Sequence, residues 1–154
     1  SNNSLMELVE EIRLAAGVKM GLGETIDQIP PTAPKLGIGA EPLAYKILAG
    51  KMVDASSASL TTRIWSMGQV HRVLPLTGAM CLAVACKIPG TLCERNTKGE
   101  GEDIKLANPS GVLPLNAAIE VQGNKIIARH VTAYRTARTL MEGNVLVPDQ
   151  THQI

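Results

Sequence analysis

From Thr77 to Ile88 nearly every residue is small or apolar, on every face a helix could present, and Pro89-Gly90 closes the run. A helix without a polar face has no side to offer to water, so other elements must surround it. Proline stops it, because it lacks the amide donor and clashes with the preceding turn. The run is too short to cross a bilayer, which takes about 20 residues. The chain must therefore wrap something around 77–88, and the residues that follow supply strands. Thr91 to Asn96, Asp103 to Ala107, Val112 to Val121, Lys125 to Val131 and Ala133 to Met141 have strand patterning. They are separated by turn signals at Lys98-Gly99-Glu100-Gly101, Asn108-Pro109-Ser110-Gly111 and Gln122-Gly123-Asn124. Asn144 to Val147 reads as one more short strand. Upstream, Lys35 to Ile38 and Leu60 to Trp65 read the same way. The expected class is α+β: a mixed β-sheet rolled into a barrel around one central buried helix.

The rest of the chain fits that plan. Ser4-Leu5-Met6-Glu7 has the form of a capping box, and Leu5, Leu8, Val9, Ile12, Ala15 and Ala16 follow at helical spacing. This predicts a helix over residues 4–20 packed on the barrel, with an acidic outer face unsuited to a membrane. Prolines at 30, 31 and 34 force an extended segment. Glu41 to Met52 is ambiguous and could hold a helical turn around Leu43, Ile47 and Leu48. Pro114, between Leu113 and Leu115, points to an edge strand or a bulge. Residues 149–154 read as a frayed polar tail and 1–3 as a cloning remnant.

With 154 residues, 45% hydrophobic and 19% charged, the chain is one folded domain rather than a disordered segment. A net charge of +1 and an aromatic content of 2% leave no basic surface and few stacking platforms, which argues against nucleic acid. Cys81, Cys86 and Cys93 form no CxxC pair, and an odd count is not a disulfide framework. That points to a reducing, intracellular compartment, the cytoplasm first, with mitochondria left open. Cys81, Cys86 and Cys93 read as core-packing thiols. His130 has no partner at metal-ligand spacing. Gly21-Leu22-Gly23 and Gly37-Ile38-Gly39 are too short for a dinucleotide fingerprint.

The chemistry concentrates where the apolar helix begins. His71 and Arg72 run into Thr77-Gly78, where a helix start leaves amide N–H groups without partners at its positive end. Such an end can hold a carboxylate or phosphate, with the Thr77 hydroxyl beside it, Gly78 permitting close approach and Arg72 as a clamp. The plainer reading is that Thr77 caps the helix and Arg72 is solvated. Spacing alone leaves both open.

Several motifs together resemble the PrpF family of isomerases. They are Ser66-Met67-Gly68, His71-Arg72, Thr77-Gly78-Ala79, Ile88-Pro89-Gly90-Thr91-Leu92, Asn108-Pro109-Ser110-Gly111 and Arg135-Thr136-Ala137-Arg138-Thr139-Leu140-Met141-Glu142-Gly143. The resemblance runs from Ser4 to Pro148. It implies the diaminopimelate-epimerase-like fold, in which two similar domains each wrap a sheet around a helix and the active site lies between them. A complete member is more than twice this length, so the chain resembles the C-terminal half alone. The family's members include methylaconitate, methylitaconate and aconitate isomerases and oxalomesaconate tautomerases.

The implied chemistry uses no metal and no cofactor. A base removes an allylic proton next to carboxylates, and the proton returns at another carbon, or the intermediate rotates first. The family's base is a lysine aided by a cysteine, both in the N-terminal half, so no catalytic residue is expected here. The resemblance assigns carboxylate binding to His71, Arg72, Thr77, Gly78, Ala79, Ser110 and Gly111. The implied partners are a small unsaturated di- or tricarboxylate, the N-terminal domain of the same protein and a second copy of the chain; no nucleic acid or membrane is implied.

Two departures stand out. Asn108 replaces the family's usual His before Pro-Ser-Gly. Pro75 stands where epimerase relatives carry a cysteine at the helix start, which argues against a two-thiol racemase. Arg135 and Arg138 read first as a structural ion pair with Glu142 or a subunit contact, and second as substrate-binding residues. The alternative to an isomerase half is a non-catalytic binding module that keeps the fold.

Overall fold

The computed structural model describes residues 2–99, 101–123 and 125–146. Helix α1 (Asn2–Lys19) leads through a short 3-10 turn to strand β1 (Leu36–Ala40). A small hairpin follows, β2 (Tyr45–Lys46) and β3 (Met52–Val53), then β4 (Leu60–Ser66) and β5 (Gln69–Val70). Helices α2 (Leu76–Ala85) and α3 (Leu92–Asn96) lie between β5 and the final strands β6 (Asp103–Asn108), β7 (Gly111–Gln122) and β8 (Lys125–Ala133). The main sheet runs β1-β4-β6-β7-β8, with β5 paired to β4. All its pairs are antiparallel except β4–β6, so the sheet is mixed.

Helix α2 packs against β6, β7 and β8. Ala79 and Ala83, both fully buried, meet Leu60, Ile64, Ile104, Leu106, Leu115 and Ala117 in one core. The helix comes close to the sheet because glycines stand at the contacts. A Cβ on Gly78 would lie 2.7 Å from Ile64 Cδ1, and one on Gly37 would lie 3.1 Å from Leu82 Cδ2.

The expectation of a helix buried on every face is corrected here. Cys81 is exposed, as are Leu76 and Thr77, and a cleft of about 440 Å³ opens along this side between Met20, Lys35, Gly37, Ile64 and Cys81. The apolar run predicts burial from composition, but the described sheet curls over only part of α2. The helix also ends at Ala85 rather than Ile88: its last carbonyls turn to shorter bonds, with Lys87 N donating to Val84 O and Ile88 N to Ala85 O.

Other expectations also change. Residues 91–96 form no strand: Thr91 caps α3 (Leu92–Asn96), its Oγ1 accepting from Glu94 N at 3.1 Å while Glu94 Oε2 accepts from Gly90 N at 3.2 Å. The chain from 134 to 146 is without a strand, because no neighbouring strand pairs with it beyond Ala133. Residues 43–48 carry β2 and no helical turn. Pro114 sits inside β7, opposite Lys105 of β6, but β8 begins pairing only at Leu115, so the missing amide costs no ladder bond to β8. The bulge lies further on, at Ala118/Ile119.

Helix α1 begins at Asn2, ahead of the expected capping box. Its buried stripe is Val9, Arg13 and Gly17, four residues apart, whereas Leu5, Leu8 and Ile12 are about half exposed. Arg13, 2% exposed, pairs with Glu10 and donates to the carbonyls of Pro30 and Ala33. Trp65 Nε1 donates to Glu10 Oε2 at 2.9 Å, which ties α1 to β4. The Arg13 guanidinium, then the Trp65 bond, holds the Glu10 carboxyl below its ordinary range. Among the described residues no helix is long and apolar enough to cross a membrane. The tail expected at 149–154 lies outside the described residues, as does Val147 of the short strand expected at 144–147; its first three residues form no strand.

Candidate active site

The start of α2 is built by two tight turns. Met67 and Gly68, both at positive φ, turn β4 back into β5 in a two-residue hairpin. The chain then runs through 71–75 into α2, and His71 N donates to Ile64 O at 2.9 Å. Facing it is the hairpin between β6 and β7, closed by Asn108-Pro109-Ser110-Gly111. Asn108 is buried and fully occupied there. Its Nδ2 donates to Gly111 O at 2.9 Å, and its Oδ1 accepts from Ser110 N at 3.0 Å. The Tyr45 hydroxyl lies 2.7 Å from Asn108 O and 2.9 Å from Gly111 O, in reach to donate to both carbonyls. Burial pushes the Tyr45 phenol up, which keeps it a donor. Ser110 Oγ then donates to Arg72 O at 2.6 Å, joining the two loops.

The residues singled out in the sequence thus fall around one helix end, in different ways. Thr77 and Gly78 line the larger cleft, while Ser110 and Gly111 line a smaller one of about 160 Å³ with Leu76, Val73 and Arg135. Arg72 is exposed and contributes its carbonyl to Ser110. His71 is half-buried, and its Nε2 is buried without a hydrogen-bond partner among the described residues. Ala79 is fully buried and its amide donates to Pro75 O at 2.9 Å, so its side chain packs the core.

Thr77 does not cap the helix: Pro75 holds the N-cap position, and among the described residues no side chain bonds there. A proline cannot accept an amide through its side chain. The amides of Leu76, Thr77 and Gly78 therefore stand without a capping side chain, at the positive end of a ten-residue helix. Gly78 has a packing reason, since its missing Cβ makes room for Ile64.

For Arg135 the sequence ranks an ion pair or a subunit contact ahead of substrate binding. No ion pair joins Arg135 or Arg138 to Glu142 among the described residues; instead Arg135 borders the cleft at the start of α2. Its position in the motif 135–143 was the available signal. Among the described residues no group of three or more His, Cys, Asp or Glu could hold a metal.

A mixed sheet curled over a central helix, with the helix start exposed between two loops, is the diaminopimelate-epimerase-like fold. The crystal structure of methylitaconate-delta-isomerase superposes with a TM-score of 0.78 at 27% identity, covering 91% of this chain and 37% of that one. Within that fold the chain belongs to the PrpF protein family, whose model matches residues 1–148. It is 35% identical over 152 residues to 2-methyl-aconitate isomerase of Shewanella oneidensis, covering 96% of this chain and 38% of that protein. It is 28% identical over 152 residues to 3-methylitaconate isomerase of Eubacterium barkeri, covering 95% and 39%. The chain spans little more than a third of the length of these relatives.

Proposed function

We propose that this chain is the C-terminal, substrate-holding domain of an isomerase that moves or rotates the double bond of an unsaturated di- or tricarboxylic acid. Membership in the PrpF family and the names of the relatives, 2-methyl-aconitate and 3-methylitaconate isomerase, support the reaction class. The observation that carries the site is the start of α2, with amide donors at 76–78 that no side chain among the described residues caps, flanked by Ser110 and Arg135.

Removing a proton next to a carboxylate puts negative charge on that carboxylate's oxygens. Donors already aimed at those oxygens stabilise the charge without reorganising. Thr77 and Gly78 would hold one carboxylate from the helix end. Arg135 would neutralise a second, from the Ser110-Gly111 side, and His71 and Arg72, in the segment that leads into α2, would add to the same site. The proton transfer itself is assigned to residues outside this chain. The domain is therefore a binder here, and the reaction needs the remainder of a full-length protein.

The test is an absorbance assay of the full-length protein against a panel of aconitate-type acids, alongside the 154-residue chain alone. Turnover by the full-length protein and none by this chain is expected. Turnover by this chain alone would overturn the assignment of the base. Failure of the full-length protein on every unsaturated acid would overturn the reaction class.

A further inference from the structure

The small hairpin β2–β3 is held by polar contacts rather than by packing. Leu43, Leu48 and Met52 are each more than half exposed, and two residues per strand do not make a stable sheet alone. The hairpin instead grips the turn at 108–111. Leu48 N donates to Pro109 O at 2.8 Å, and the Tyr45 hydroxyl lies 2.7 Å from Asn108 O and 2.9 Å from Gly111 O. It is anchored in turn to β4. Leu43 N donates to Thr61 Oγ1 at 3.2 Å, and the Arg63 guanidinium stands over the Tyr45 ring, 5.5 Å from its centre. The bonds of the Asn108 side chain all stay within residues 106–111, so they set the shape of the turn. Tyr45 and Leu48 reach it from outside and set its place.

We infer that Tyr45 is a positioning residue for the carboxylate site, acting through the 108–111 turn and the bond from Ser110 to the Arg72 carbonyl. The inference rests on the binding role proposed above for the start of α2. The smaller cleft there has two walls, one from Val73, Leu74 and Leu76 and one from Asn108, Ser110 and Gly111, with Arg135 beside them. The 2.6 Å bond from Ser110 Oγ to Arg72 O joins the walls, just ahead of the N-cap Pro75. Tyr45 therefore fixes one wall, and Ser110 carries that restraint to the segment that leads into α2.

Tyr45 has one hydroxyl proton, and carbonyls of the protein already engage it. Its effect on a substrate is therefore through the turn and not by contact. Phenylalanine at 45 keeps the ring under Arg63 but removes the donor that two carbonyls share. Gly111 O retains Asn108 Nδ2, so the turn keeps its shape and loses its fixed distance from residues 72–75. Groups that are no longer held in place bind more weakly, because the ligand must then order them.

The experiment compares the full-length protein with Tyr45→Phe, Ser110→Ala and the double variant, by steady-state kinetics and by hydrogen exchange at the His71 amide, which bonds to Ile64 O beside the linked carbonyl. Tyr45→Phe should raise KM for a tricarboxylate about fivefold, the effect of one lost hydrogen bond, with kcat within about threefold, because the loosened cleft holds substrate and transition state alike. Exchange at His71 should quicken by a similar factor. Ser110→Ala, which cuts the link one step further on, should reproduce both changes, and it decides the matter if Tyr45→Phe does not fold. On the Ser110→Ala background Tyr45→Phe should add less than about twofold to KM. An unchanged KM, a loss confined to kcat, or a full second fivefold in the double variant overturns the proposal. So does unchanged exchange at His71, whatever the kinetics show. If the unaltered protein turns over no unsaturated acid, the reaction class fails, and exchange at His71 still decides the role of Tyr45.

Discussion

Gly78 gives a quantitative test of how the start of α2 is held. A methyl group added there would lie 2.7 Å from Ile64 Cδ1, about 1 Å inside an ordinary carbon contact. Ile64 is 2% exposed in the core, so its methyl has little room to retreat. Overpacking of this kind costs about 1–3 kcal/mol. Alanine recovers part of that through helix propensity, at most about 1 kcal/mol and less in the first turn. Gly78→Ala should therefore destabilise by about 1–2 kcal/mol. Ile64→Val alone should cost about 0.5–1.5 kcal/mol. The valine removes the clashing Cδ1, so the double variant should cost less than the sum by about 1 kcal/mol. Urea unfolding followed through Trp65, the single tryptophan and 3% exposed, reports all four proteins. Additivity within about 0.3 kcal/mol would refute the packing role of Gly78.

Arg13→Met should destabilise by about 2–3 kcal/mol in thermal unfolding, because it leaves the carbonyls of Pro30 and Ala33 without this donor and Glu10 with the Trp65 bond but no charge partner. The Glu10 carboxyl is held low in the folded state. Its contribution is therefore complete above the ordinary carboxylate value and is lost as pH falls through the folded one; Arg13→Met should flatten that acid-side loss in pH-dependent denaturation. Asn108→Ala should lower the melting temperature by about 4–8 °C, the effect of about 2 kcal/mol in a domain of this size, since it opens the turn that carries Ser110. Arg135→Gln in the full-length protein should weaken binding of a tricarboxylate by about 10- to 100-fold in calorimetry, the loss of one charge-assisted bond, while leaving the melting temperature unchanged.

The parts of the fold legible in the sequence were those with a local cause. The run 77–88 announces a core helix, and the strands β4, β6, β7 and β8 follow from patterning and turn residues. What was not legible depends on partners far away in the chain. Whether Cys81 faces core or cleft depends on where β1 stops covering α2, and composition holds no record of that. Leu5, Leu8 and Ile12 read as the inner face of α1, yet Arg13 takes the inner position because Glu10, Pro30 and Ala33 satisfy its donors. The capping pattern at Ser4 predicts a helix start; the same pattern at Thr91-Leu92-Cys93-Glu94 begins α3, where residue patterning alone predicts a strand.

The candidate site was legible in its parts but not in its joints. Thr77, Gly78, Ser110 and Gly111 were picked out, and they line clefts on either side of one helix start. The bond from Ser110 to the Arg72 carbonyl, the Tyr45 hydroxyl within reach of two carbonyls of the turn, and Arg135 beside the cleft all join segments distant in sequence. Asn108 needs no ligand to explain it, since the turn occupies its amide group completely.

The most direct test of the account is a crystal structure of the full-length protein with tricarballylate, a saturated tricarboxylate that offers no double bond to move. The account predicts one carboxylate about 2.9 Å from the amides of Leu76, Thr77 or Gly78, and a second facing Arg135. A ligand bound away from this helix start, or amides there already taken by groups of the protein itself, would contradict it.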